Sequence, residues 1–202
     1  DQLDGYRCLG LAEAEELALS LSTAAGAATL LDDVYRPGWS AMRSQGGRPA
    51  AFATLADLVS GQGVSRIQLA EALFVLTGRG DIAPVTQSVT PQEDVAASQA
   101  LNRELCRRSR FAAGAGNLAA PHIASAIPVG RVQQLILLAI WDGKRNVEDA
   151  VWQWLCAQGE RLVHEGRALE TADENLEEIR RLHAEVEANL VPLLKRVGAM
   201  AK

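Results

Sequence analysis

Three histidines, three cysteines and one short glycine-rich run are the groups in this chain whose types could do chemistry. His122, His164 and His183 lie far apart in sequence. None forms an HxxxH pair and none has an evident serine or cysteine partner, so their spacing supports neither a metal centre nor a nucleophilic triad. His164 precedes Glu165-Gly166, His183 falls beside the apolar stripe of a charged helix, and His122 stands in a loop where backbone hydrogen bonding accounts for it. Cys8, Cys106 and Cys156 are odd in number, widely spaced and without a CxxC pair. They read as free thiols in a reducing cytoplasm.

The glycine-rich run is Gly114-Ala115-Gly116-Asn117. A cofactor site that grips a ribose-bearing ligand needs a strand running into such a turn, so that the backbone approaches the ligand, and an acid at the end of the next strand for the ribose hydroxyls. Here the run follows a helix, and no strand–acid pair succeeds it, so it reads as a loop. Arg103, Arg107, Arg108 and Arg110 suit the negative end of a helix dipole. The carboxylate-rich run Asp173 to Glu187 reads as a solvated helix face, and Arg79-Gly80-Asp81 as a turn after a helix.

Elements that would position these groups follow from periodicity and capping signals. Leu17 to Ser22 alternates apolar and polar residues as a half-buried strand does, with a turn at Thr23-Ala24-Ala25-Gly26 and Ala27 to Leu31 as its hairpin partner. A short helix over Leu31 to Met42 is expected to break or bend at Pro37-Gly38, and another to span Leu55 to Val59. Ser65 to Gln68 fits a capping box opening a helix whose inward face is read as Ile67, Ala70, Leu73, Phe74 and Leu76. Ile82 to Val85 follows as a strand. Helix, turn, helix and strand in this compass resemble half of a winged helix.

Thr86 to Pro91 is the expected internal boundary, with Thr90 to Glu93 a second capping box. The helix beyond it should run to Arg110 with Val95, Leu101 and Leu105 inward. A Pro-punctuated loop (Pro121, Ser125, Pro128) then feeds a helix apolar on nearly every side, Val132 to Ile140, with Pro128 in its first turn and Gly143 at its exit. Its unbroken apolar run, Leu135 to Trp141, falls far short of the roughly 20 residues a membrane span needs, so it is read as the buried centre of a bundle. Asn146 caps a helix with Val147, Ala150, Val151, Trp154 and Leu155 on one stripe, and Trp152 falls away from that stripe. Thr171 to Glu174 is a third capping box. The last helix carries Leu176, Ile179, Leu182, Val186, Leu190 and Leu193 inward, and Pro192 should end or kink it.

With 202 residues, 48% hydrophobic and 22% charged, the chain has room for one large globular domain or two small ones. The expected fold is mainly α: a winged-helix-like module with a short β-hairpin over residues 1–88 and a helical bundle over 89–202. A net charge of −5 argues against a general affinity for phosphate backbones. The second helix of the module offers Arg66, Gln68 and Glu71, not the basic face a DNA reader requires.

The stretch LAAPHIASAIPVGRVQQLILLA from Leu118, preceded by LNRELCRRSR (Leu101 to Arg110) and followed by the tail Pro192-Leu193-Leu194 and Gly198, resembles the methyltransferase regulatory domain. This domain is the C-terminal part of bacterial S-adenosylmethionine-dependent methyltransferases. The resemblance implies a non-catalytic regulatory or substrate-presenting region, with S-adenosylmethionine and the methyl-transfer residues in an upstream domain and no cofactor in this chain. A start at Asp1 in place of Met fits a piece of a longer protein. The implied partner is that catalytic domain; a protein substrate and a second copy of the chain stay open, and neither nucleic acid nor membrane is expected. Residues expected to face a domain or partner are Asn102, Arg108, Pro121, His122, Arg131, Gln134 and Trp152. Arg131 adds a physical reason, because a cation near a helix N-terminus opposes the dipole and needs an outside partner. A stand-alone protein-interaction module and a winged-helix DNA-binding regulator are the alternatives.

Overall fold

The computed structural model describes residues 3–11, 17–23, 26–85, 91–112, 114–123 and 125–201. The fold is mainly α, with short antiparallel strands, and divides into two compact units, Asp1–Val89 and Thr90–Lys202. Thr86 to Thr90, including the expected cap Thr90, and the turn residues Ala24 and Ala25 lie outside the described residues.

In the first unit three helices, α1 (Asp32–Arg43), α2 (Phe52–Ser60) and α3 (Arg66–Arg79), pack together beside a small sheet. Strand β1 (Arg7–Gly10) lies in the middle of that sheet, with β4 (Ala50–Ala51) and β5 (Ile82–Pro84) antiparallel on either side. Its sequence, Arg-Cys-Leu-Gly, shows no alternation and carried no strand signal. The strand after α3 therefore finds its partner upstream of the helices. Cys8, Trp39, Phe52, Leu55, Leu69 and Leu76 form the core. The expected hairpin is present as β2 (Ser20–Thr23) and β3 (Gly26–Thr29).

Helix α1 continues through Pro37-Gly38. Gly38 is a point of close approach: a Cβ there would lie 3.3 Å from Cδ1 of Leu69 on α3. The capping box of α3 forms as expected, with the Gln68 N–H donating to Oγ of Ser65 at 3.2 Å and the Ser65 N–H to Oε1 of Gln68 at 3.0 Å. Its inward face differs from the expected one. Leu69, Ala72, Leu73 and Leu76 are buried, whereas Ile67 and Phe74 are 73% and 75% exposed. Two apolar stripes adjoin on this helix, and the one with i, i+3, i+4, i+7 spacing fills the core.

The second unit is built around α5 (Arg131–Trp141), against which α4 (Gln92–Arg108), α6 (Val147–Cys156) and α7 (Ala172–Glu185) pack. Leu135 to Ala139 are all buried, as the apolar run requires. Helix α4 turns Val95, Asn102 and Cys106 inward, and Leu101, expected inside, is 52% exposed. A buried asparagine occupies the position that an apolar-stripe reading assigns to a hydrophobe.

The Pro-punctuated stretch is a β-hairpin. Strand β6 (Asn117–Ala120) pairs with β7 (Ser125–Pro128) across a 3-10 turn, Pro121–Ile123, with Leu118 opposite Ile127. Pro128 ends β7 and is not in the first turn of α5, which Gly130 precedes. A missing N–H is tolerated at a strand end as it is at a helix start. Gly143, at φ +62, takes the expected exit position.

Asn146 caps α6 through the Asp149 N–H at 3.1 Å, and Thr171 and Glu174 close the capping box of α7. A short hairpin, β8 (Val163–His164) and β9 (Arg167–Ala168), joins these helices. Pro192 does not end the last helical run. A π turn, Val186–Leu190, precedes it, and α8 (Val191–Arg196) continues beyond. The wider turn accommodates the proline ring and its missing donor. It also inserts a residue into the register, so Leu194 is the fully buried position and Leu193 only half-buried.

Candidate functional site

The three stretches that carry the resemblance meet around Asn102. Its side chain is fully buried on α4. Nδ2 donates to the carbonyl of Ala119 at 2.9 Å and to that of Ala199 at 3.0 Å, while Oδ1 accepts the Ala119 N–H at 2.7 Å. One asparagine thus ties α4 to β6 and to the tail after α8. A planar amide with donor and acceptor side by side can replace a strand partner in this way.

His122 belongs to the same junction. Its backbone N–H donates to the carbonyl of Val197 at 3.1 Å, and its ring lies against the α-carbon of Gly198. Gly198 has φ +77, and a Cβ there would come within 2.8 Å of Nε2 of His122. Gln99, one turn before Asn102, donates from Nε2 to the carbonyl of Gly198 at 3.2 Å. Beside this junction a cleft of about 390 Å³ opens, lined by Gln92, Val95, Gln99, His122, Lys195 and Met200 among others. Sequence reasoning missed Gln92, Gln99 and Lys195. They are far from His122 in sequence and carry no motif of their own.

The other expected contact residues go to different places. Gln134, buried on α5, donates from Nε2 to the carbonyls of Ala115 and Val129 at 2.6 and 2.9 Å, holding the approach to the hairpin. Burial puts Asn102 and Gln134 beyond the reach of a partner surface. Arg131 donates from Nε to the carbonyl of Ser109 at 2.7 Å and pairs with Glu160. The outside partner that its helix position demands is therefore a carboxylate of this unit. Arg108 is exposed and pairs with Glu104 at 3.1 Å on its own helix, which holds the Glu104 carboxyl below its ordinary range. Pro121 and Trp152 are half-buried. Trp154, two residues on, lies under the Arg110 guanidinium at 4.9 Å.

The other two histidines and two of the cysteines are committed to structure. His183 Nδ1 lies 2.9 Å from Oε1 of Glu148, tying α7 to α6, and this hydrogen bond lowers the Glu148 carboxyl's pKa. His164 Nδ1 lies 3.1 Å from Glu178. Burial pushes the thiols of Cys8 and Cys106 up to about 12, so both stay protonated and unreactive at neutral pH. Cys156 is exposed. Arg79 and Asp81 pair with each other across their turn. Among the described residues no group of three or more His, Cys, Asp or Glu side chains could hold a metal ion, and no helix is long and apolar enough to cross a membrane.

No family model matches the chain, and no solved structure matches it. Over 173 residues, 86% of its length, the chain is 30% identical to uncharacterized protein sll1526 of Synechocystis sp. (strain ATCC 27184 / PCC 6803 / Kazusa). The match covers 33% of that protein, so the chain spans about a third of the length of the curated relative it matches.

Proposed function

We propose that this chain is a non-catalytic regulatory or substrate-presenting region of an S-adenosylmethionine-dependent methyltransferase, working in the cytoplasm with its cofactor domain elsewhere. The observation that carries this reading is the meeting, at Asn102 and at His122–Gly198, of the stretches in which the resemblance to the methyltransferase regulatory domain lies. Residues spread from α4 to the tail serve one junction, as a shared sequence pattern with a common structural purpose requires. The 30% identity to a relative of which the match covers only 33% is compatible with a region that works beside another domain. A protein is among the substrates such an enzyme could modify.

A protein-interaction module is the second reading, and the outer face of α3 favours it over DNA binding. Ile67 and Phe74 stand exposed where a DNA reader would present cations. The test is calorimetric titration of the 202-residue chain with S-adenosylmethionine, paired with methyl-transfer assays of the full-length gene product with and without this region. The proposal expects no heat of binding to the isolated chain and an altered methylation rate on deletion. Saturable micromolar binding by the chain, or a full-length protein without methyl-transfer activity, would overturn it.

A further inference from the structure

The cleft beside His122 has a one-sided polar chemistry. Lys195 and His122 supply its titratable groups, Gln92 and Gln99 supply amides, and no carboxylate lines it among the described residues. This is unusual for a chain of net charge −5. Elsewhere in the same unit cations meet acids: Arg103 with Asp142, Arg131 with Glu160, Arg181 with Glu178. Among the described residues the Lys195 ammonium has no such partner. The acids that follow Gln92 in the first turn of α4, Glu93 and Asp94, are not among the lining residues.

The histidine is also held in place. Its backbone is bonded to Val197, and its ring rests on a glycine whose left-handed backbone and missing side chain leave room for it. Gln99 fixes the same glycine's carbonyl. A rigid imidazole, a flexible ammonium and adjoining amides are the donors by which proteins hold oxyanions, and about 390 Å³ is the size of a small-molecule site. Val95 and Met200 add apolar surface for a carbon body.

We propose that this cleft binds a small organic anion through a carboxylate or phosphate group, held between Lys195 and His122. The proposal stands apart from the methyltransferase reading, since it needs no second domain and no cofactor. Inorganic phosphate and glutarate, each at constant ionic strength, serve as probes of the two oxyanions. The readout is the imidazole resonance of His122 in the 202-residue chain, with His164 and His183 as internal references. A saturable shift of His122 alone, with either probe, is expected, and the more tightly bound probe identifies the oxyanion. Lys195 is exposed, so Lys195→Met should fold normally and weaken that binding roughly tenfold or more, the loss of one charge-assisted hydrogen bond. If His122 responds to neither probe, or responds equally to chloride, or if Lys195→Met binds as the parent does, the proposal is wrong.

Discussion

Gly198 and His122 touch so closely that a methyl group on the glycine would fall 2.8 Å from Nε2 of the imidazole. Two constraints coincide at this glycine. Its φ of +77 disfavours any side chain by roughly 1–2 kcal/mol, and the ring occupies the space a Cβ would need. Gly198→Ala should therefore lower stability by at least that amount in urea unfolding and also move the His122 resonance. A variant that loses stability with the His122 signal unmoved would mean that the backbone alone requires glycine.

Arg131 is an internal tie in this structure. Its Nε bond reaches the carbonyl of Ser109, a fully buried residue, while its partner Glu160 is 43% exposed. Arg131→Met should cost the chain about 1–3 kcal/mol, because a buried carbonyl loses a charged donor. Glu160→Gln should cost less than about 1 kcal/mol, as exposed ion pairs do. Equilibrium unfolding of both variants tests the ranking. An Arg131→Met chain as stable as the parent would return this arginine to the role of a domain contact.

Glu174 closes the capping box of α7. The Thr171 N–H first, then Arg167, the Thr171 hydroxyl and the Glu170 N–H hold its carboxyl at about 2, below an ordinary 4.5. A depressed folded-state pKa adds stability that is complete above the unfolded value and is lost as pH falls through the folded one. The melting temperature of the parent should exceed that of Glu174→Gln at neutral pH, and the gap should close between about pH 4.5 and pH 2. A gap that stays constant over that range would show that the charge of Glu174 contributes nothing to the cap.

Much of the local structure was legible in the chain. The capping residues Ser65, Asn146 and Thr171 each close their own helix through groups three residues away, and such short-range bonds need no knowledge of the rest of the fold. Leu135 to Ala139 of α5 are buried on every side, and five successive apolar residues on a helix have no other stable place in water. The mainly α character follows from the same signals.

Other features were decided by tertiary packing. Helix α3 carries two adjoining apolar stripes, and which one faced inward depended on how α1 and α2 met it. Strand β1 has a weak local preference and exists because β4 and β5, far away in sequence, offer it hydrogen-bond partners, whereas β6 and β7 pair locally and are tied to α4 by Asn102. The register after the π turn follows from one inserted residue, which periodicity cannot reveal before the turn is known. The candidate site belongs to this second class. Asn102, His122, Lys195 and Gly198 are unremarkable in sequence, and the chemistry they share arises from through-space distances that only the folded chain sets.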